Sequence, residues 1–310
     1  MTDADYALQA VKGIKKSHDN GCKFRIEEYM KTGYIQFYKT SEVAEIYTST
    51  EGMSGVTELG DLQTPPSMAL KDGYSVTITE KRFGGSVTLP ENVYRRDGKD
   101  STWKVDQFLM RQRNQLMKTG VQKLMTNAHL MLNEAFDSTS AYLAPDSVEV
   151  CGTHSWASGN TFDNAVTNAF DIGEYDTAWE YAGAFTDPAG KEDPLNWTHI
   201  TVKKGSAAHR EAIRLFAKEI KPTAVNDINI YEGEITVVET PYITTANKLN
   251  WFLQDLSTDM SPLAVGIGEY PTMREPIKLE NEAIRSNMTG FWKQGVINMP
   301  YNMYGSDGTT

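Results

Sequence analysis

Residues 149–160, EVCGTHSWASGN, bring a thiol (Cys151), an imidazole (His154), two hydroxyls (Ser155, Ser158) and two glycines (Gly152, Gly159) within a dozen positions. Three readings suit such a cluster: a nucleophile with its base, a metal clip, or a polar loop without chemistry. A thiolate nucleophile needs an electropositive setting or a helix N-terminus to lower its pKa. Asp146, Glu149 and Asp163 make this neighbourhood acidic instead. No GxSxG elbow or cysteine-protease signature accompanies it. The histidines (His18, His129, His154, His199, His209) form no HExxH motif and no i, i+4 pair. His129 falls on a helical stripe and reads as a core or interface side chain. The acidic run DIGEYDTAWE lacks the ligand order of a calcium loop. GYSVTITEKRFGG ends in glycines, but no helix opening on Lys-Ser/Thr follows to cradle a phosphate. The expectation is a turn-rich surface loop with no catalytic, cofactor or metal role, where Cys151→Ala and His154→Ala leave assembly nearly unchanged.

The totals narrow the class. At 310 residues the chain can bury a large core without a metal or disulfide. Its two cysteines, Cys22 and Cys151, lie outside any CxxC pattern, as expected for a reducing compartment. No apolar run approaches the ~18 residues that span a bilayer, and the N-terminus lacks a signal-peptide pattern, so no membrane partner is expected. A net charge of −11 argues against a tight grip on nucleic acid. That charge is uneven: residues 71–123 hold eleven Lys and Arg against six Asp and Glu, whereas residues 160–200 hold one Lys against eight acids. The split is open to two readings, scattered solvated faces or complementary surfaces that meet between copies of the chain.

The elements that would position these groups follow from changes of period. Residues 1–20 are weakly helical and 33–48 extended, before a Gly/Pro-rich excursion, EGMSGVTELGDLQTPPSMALKDG. Tyr74, Val76 and Ile78 alternate with polar residues as a half-buried strand. Phe83-Gly84-Gly85 reads as a bulge or turn, and Pro90 ends the strand. Residues 101–136 carry apolar side chains at spacings of three and four, predicting a spine of ~54 Å, bent at Gly120 or running straight across the molecule. Helices are predicted near 177–185 and over 206–220, and strands at 199–202, 234–238 and 248–254. The tail, GFWKQGVINMPYNMYG, is expected to return to an earlier sheet. The order is α+β without a βαβ rhythm.

Several motifs fall in an informative order: ITEKRFGGSVTLPENVYRRDGKDSTWKVDQFL, then HSWASGNTFDNAV, then REAIRLFAKEIKPTAVNDINIYEGEITVVETPYIT, then KLNWFLQDLS. This order resembles the major capsid proteins of tailed double-stranded DNA bacteriophages, the Hong Kong phage-type fold, near the transposable-phage major head subunit group. The resemblance implies an N-terminal arm (1–45), an E-loop hairpin and its base (46–100), a P domain with the spine helix (101–180), an A domain (181–269) and a return segment to the P domain (270–310). It implies a non-enzymatic subunit of an icosahedral head, assembled in the host cytoplasm as pentamers and hexamers around double-stranded DNA held without sequence-specific binding. A separate scaffolding protein, a portal and a decoration protein are the other implied partners. Lys81, Arg82, Arg95 and Arg96 would meet carboxylates of a neighbouring copy, drawn from Asp171, Glu174, Asp176 and Glu180. Three rivals are an encapsulin-like nanocompartment, a tail-tube subunit and a hydrolase using Cys151 or Ser155.

Overall fold

The computed structural model describes residues 3–53, 70–90, 101–217, 231, 233–257, 259–281 and 283–308. Helix α1 (Asp3–Met30) buries His18, Cys22 and Ile26, spaced by four, against α2 (Ser101–Ala128). On α2 the stripe Leu116, Val121, Leu124, Met125 and Ala128 is buried, the spacing that closes one helical face onto a core. The spine is 28 residues, ~42 Å, and ends earlier than the apolar pattern predicts. His129 is a turn residue, and a short helix α3 (Leu130–Asn133) follows. Gly120 lies within a continuous helix; a side chain there would meet Met288 Sδ at 2.9 Å and Pro271 Cβ at 3.0 Å. The glycine serves close packing of helix on sheet.

That sheet runs β1 (Gln36–Lys39), β11 (Leu263–Met273), β13 (Ile284–Val296) and β12 (Ile277–Lys278), with β4 (Lys81–Leu89) along the other side of β13. β4 pairs with β13 from Leu89↔Ile284 to Lys81↔Trp292 without a register shift. Phe83, Gly84 and Gly85 therefore form regular strand rather than the predicted turn; the break falls at Glu80. Phe83 stacks on Trp292 with centroids 4.1 Å apart, and the glycines leave the strand bare beside the helix. β11 and the full length of α1 are additions to the sequence reading.

A second sheet runs β7 (Ala165–Val166), β14 (Met303–Ser306), β10 (Trp251–Gln254), β8 (His199–Lys203) and β9 (Thr236–Thr240). All of β10 is buried because it is covered on both faces: Phe252 joins the core beneath the spine, while Trp251 and Leu253 join an aromatic core with Tyr175, Trp197 and Tyr304. Burial on both sides explains a strand without alternation. Helix α4 (Ile172–Ala184) and α5 (Ala207–Ala212), continued by a π-helical turn at Ile213–Ala217, close this core. A separate ribbon pairs β2 (Ala44–Met53) with β3 (Leu70–Thr79).

The two cores are joined at Asn164, which is fully buried. Its Oδ1 accepts from Gly152 N (2.8 Å), and its Nδ2 donates to the carbonyls of Val150 (3.1 Å) and Pro300 (2.9 Å). Its own carbonyl accepts from Gly305 N of β14 at 2.9 Å. Asn164→Leu would leave one buried donor and two acceptors unpaired. We expect a loss of ~3 kcal/mol, read as a lower urea midpoint at unchanged m; a loss under ~1 kcal/mol would show that the joint carries nothing.

Candidate functional site

Of the loop opened by Cys151, the turn at residues 157–160, Thr153 and Ser155 are exposed as expected, but Cys151, His154 and Trp156 are buried, contrary to the predicted surface position. Cys151 is 2% exposed, its N–H donates to Ala135 O, and its thiol pKa is pushed up by burial and by Glu149 and Asp163. β5 (Thr153–Ser155) and β6 (Thr161–Asp163) form a small hairpin closed at Trp156–Asn160, where Gly159 takes φ +98°. His154 points away from chemistry. Its Nδ1 lies 3.0 Å from Asp146 Oδ2, its Nε2 3.3 Å from Val150 O, and its ring stacks on Phe162. Burial works to raise the Asp146 carboxyl, but the hydrogen bond and charge of His154, with the N–H groups of Ser155 and Val148, hold it below its ordinary value. Removing His154 takes a partner from a buried carboxylate, so His154→Ala should lower the urea midpoint of unfolding, a property separate from the assembly expected to be unchanged. Ser158 and Asn160 both bond Pro188 O. No group of three or more His, Cys, Asp or Glu that could hold a metal occurs among the described residues. His129 is a core residue as expected: its Nδ1 bonds Met125 O, its Nε2 meets Tyr34 and Thr240, and burial lowers its pKa to about 4.

The β2–β3 ribbon offers the better candidate, a surface for other copies of the chain. It leaves the body between Lys39 and Ala44 and returns through Glu80, whose N–H donates to Val43 O at 2.7 Å. Beneath this root lies Lys293 of β13, its side chain fully buried. Lys293 Nζ sits 2.9 Å from Glu45 Oε1 and donates to Glu42 O at 2.8 Å. Thr40 and Tyr47 also donate to Glu45, and Tyr38 does so at 2.7 Å. Burial works to raise the Glu45 carboxyl, but bonds from Thr40, Tyr47, Lys293 and Tyr38 bring it down to about 2. Gly266 makes room: a side chain there would strike the Tyr38 hydroxyl at 2.6 Å and Lys293 Cε at 2.9 Å. Val43 and Ile46 stay 65% and 73% exposed beside the root, while Tyr74 of β3 packs on the aromatic core. None of this network is among the sequence candidates. The one signal was a lysine inside an otherwise apolar strand, GFWKQGV.

The charged candidates separate into groups. Lys81 and Arg82 are exposed on β4, an edge strand among the described residues, with the Arg82 guanidinium 5.7 Å over the Phe291 ring. Arg95 and Arg96 lie outside the described residues. Asp171 caps α4 by accepting from Glu174 N at 2.9 Å. Glu174 accepts from Asn168, and Asp176 from the Tyr231 hydroxyl. Glu180 is exposed. No helix among the described residues is long and apolar enough to cross a membrane.

No family model and no curated protein sequence matches the chain. Among solved structures it is similar to a protein of Mycobacterium phage Patience, with a TM-score of 0.50 at 9% identity over 95% of this chain and 87% of that one. It is also similar to a chain of the cyanophage Pam1 capsid asymmetric unit (TM-score 0.47, 13% identity, 88% of each chain). A virus-like particle from Pyrococcus furiosus gives a TM-score of 0.48 at 7% identity over 95% of this chain and 98% of that one. At such identities the likeness is one of fold, and the chain has the α+β fold of the phage major capsid, Hong Kong type.

Proposed function

We propose that the chain is a shell subunit, the major capsid protein of an icosahedral phage head built from pentamers and hexamers. The observation that carries the proposal is the β2–β3 ribbon. Its two strands pair only with each other among the described residues, and an isolated two-stranded ribbon is marginal in water. Neighbouring copies would supply what it lacks, covering Val43 and Ile46. The buried root sets the direction in which it meets them. In this reading residues 1–45 form the arm, 46–100 the E-loop and its base, 101–180 the P domain, 181–269 the A domain and 270–310 the return segment. The ordered sequence motifs favour the transposable-phage head group. Double-stranded DNA, a scaffolding protein, a portal and a decoration protein are the partners of such a shell, and the virion its location.

Negative-stain microscopy of the purified chain tests this. We expect closed, round particles; tubes would indicate a tail subunit, and a lasting monomer would overturn the reading. Lys81→Glu with Arg82→Glu should remain folded by circular dichroism yet lower the shell yield, more so as salt is reduced. Each exposed pair contributes only ~0.2–1 kcal/mol, but a shell repeats the contact in every subunit. Unchanged yield at low salt would place both residues in solvent.

Acid should act on the root. The Glu45 carboxyl falls from 4.5 to about 2 on folding, so its contribution is full above about pH 4.5 and disappears as pH falls through about 2. Protection factors in β2 and β3, exchange rates corrected for the intrinsic pH dependence, should therefore fall over that window, and Glu45→Gln should show the lower protection already at pH 7. Identical exchange in the variant would remove the pair from the account.

A further inference from the structure

We propose that the cleft between α2 and the β4 edge of the sheet binds a small amphipathic carboxylate, its apolar body in the cleft and its anionic head at Lys123. The inference goes beyond the shell reading and does not depend on it. The cleft holds about 420 Å³, within the ~300–1,000 Å³ of small-molecule pockets. Alternate residues of a strand share a face, and Phe83 and Val87 turn theirs toward α2. Both are half-buried between exposed neighbours, and both line the cleft with Leu116 and Gly120 of the helix. Gly85 stands between them on that face, and a Cβ there would meet nothing within 4 Å. At Gly120 and Gly290, by contrast, a side chain would strike Met288 Sδ at 2.9 Å and Trp292 Cζ3 at 2.7 Å. Those glycines serve close packing; Gly85 leaves space.

The lining selects the ligand. Phe83 stacked on Trp292, with Met288 and Pro271, gives walls of carbon, and such walls favour an apolar occupant over water. At the rim Lys123 is exposed, its Nζ 5.7 Å from the centroid of the Phe83 ring. Among the described residues it meets no carboxylate, and no Asp or Glu lines the cleft. A lone cation beside an apolar pocket orients a ligand that carries one negative charge. The wall holds a second polar opening. Trp292 is 2% exposed, and its Nε1–H has no acceptor among the described residues. An unpaired buried donor is costly, and a ligand oxygen would relieve it. None of the exposed large apolar side chains, such as Ile46 or Met110, lines the cleft. A protein partner would call for a wider apolar surface around the pocket, so the occupant is a small molecule.

The test is isothermal titration calorimetry of the full chain with octanoate and, separately, with octanol, which has the same apolar body without the charge. Wild type should bind a single octanoate per chain. Gly85→Leu fills the cleft from the strand and should weaken both ligands at least about tenfold, the loss of most of their apolar burial. Thr88→Leu, exposed on the opposite face of β4, should bind both as wild type does. Lys123→Gln should weaken octanoate about threefold, the effect of one exposed ion pair, and leave octanol unchanged. If Gly85→Leu misfolds by circular dichroism, Thr119→Phe, at an exposed helix position lining the same cleft, reads the same loss. No saturable binding, several equivalent sites, or unchanged affinity in the cleft-filling variant overturns the proposal. A Lys123→Gln variant that treats both ligands alike overturns the placement of the carboxylate. Microscopy keeps the two readings apart: normal shells without octanoate binding refute this inference alone. Octanoate binding as expected, without shells, refutes the shell reading alone.

Discussion

A buried lysine in an edge-to-edge sheet is costly unless its charge is met, and Lys293 is met by a group from a different part of the chain. Its carboxylate partner, Glu45, stands at the start of β2, 248 positions earlier in sequence. Dehydrating both charges disfavours the pair; the hydroxyls of Thr40, Tyr38 and Tyr47 and the Glu42 carbonyl offset that cost. The result is directional. β13 already holds β11, β12 and β4, so a charge fixed on β13 fixes the point where β2 departs. Because β3 passes through Glu80 into β4, both ends of the ribbon are tied to one strand.

The rest of the molecule supports that arrangement. α1 and α2 brace the sheet from below, with Gly120 letting helix and strand approach, and Asn164 ties the sheet's core to the aromatic core. The same construction answers the chemical question posed by Cys151 and His154. A thiol sealed from water beside carboxylates is a poor nucleophile, and an imidazole occupied by Asp146 and a carbonyl holds a loop in place. These groups are structural parts of the junction between cores.

How much of this was legible depended on the range of the interaction. Periodicity carried most of the spine, the alternation of Tyr74, Val76 and Ile78 and the returning tail, because each is written in local spacing; the WFLQ strand shows as a short apolar run without alternation. The ordered motifs carried the fold class. The same local signals misplaced the end of the spine: Ala135 and Phe136 continue the apolar pattern but pack after the helix has broken at His129. Gly84-Gly85 looked like a turn, yet the glycines sit in a regular strand against a helix. The root network was illegible because Glu45, Gly266 and Lys293 meet only after the chain folds, and a lone lysine in a strand names no partner.

The account's central claim is that the β2–β3 ribbon is completed by other copies of the chain. The most direct measurement is hydrogen–deuterium exchange of residues 44–53 and 70–79 before and after assembly, with buried β10 as an internal reference. The account predicts low protection in the unassembled chain that rises strongly on assembly, while residues 251–254 stay protected throughout. Equal protection of the ribbon in both states would contradict it.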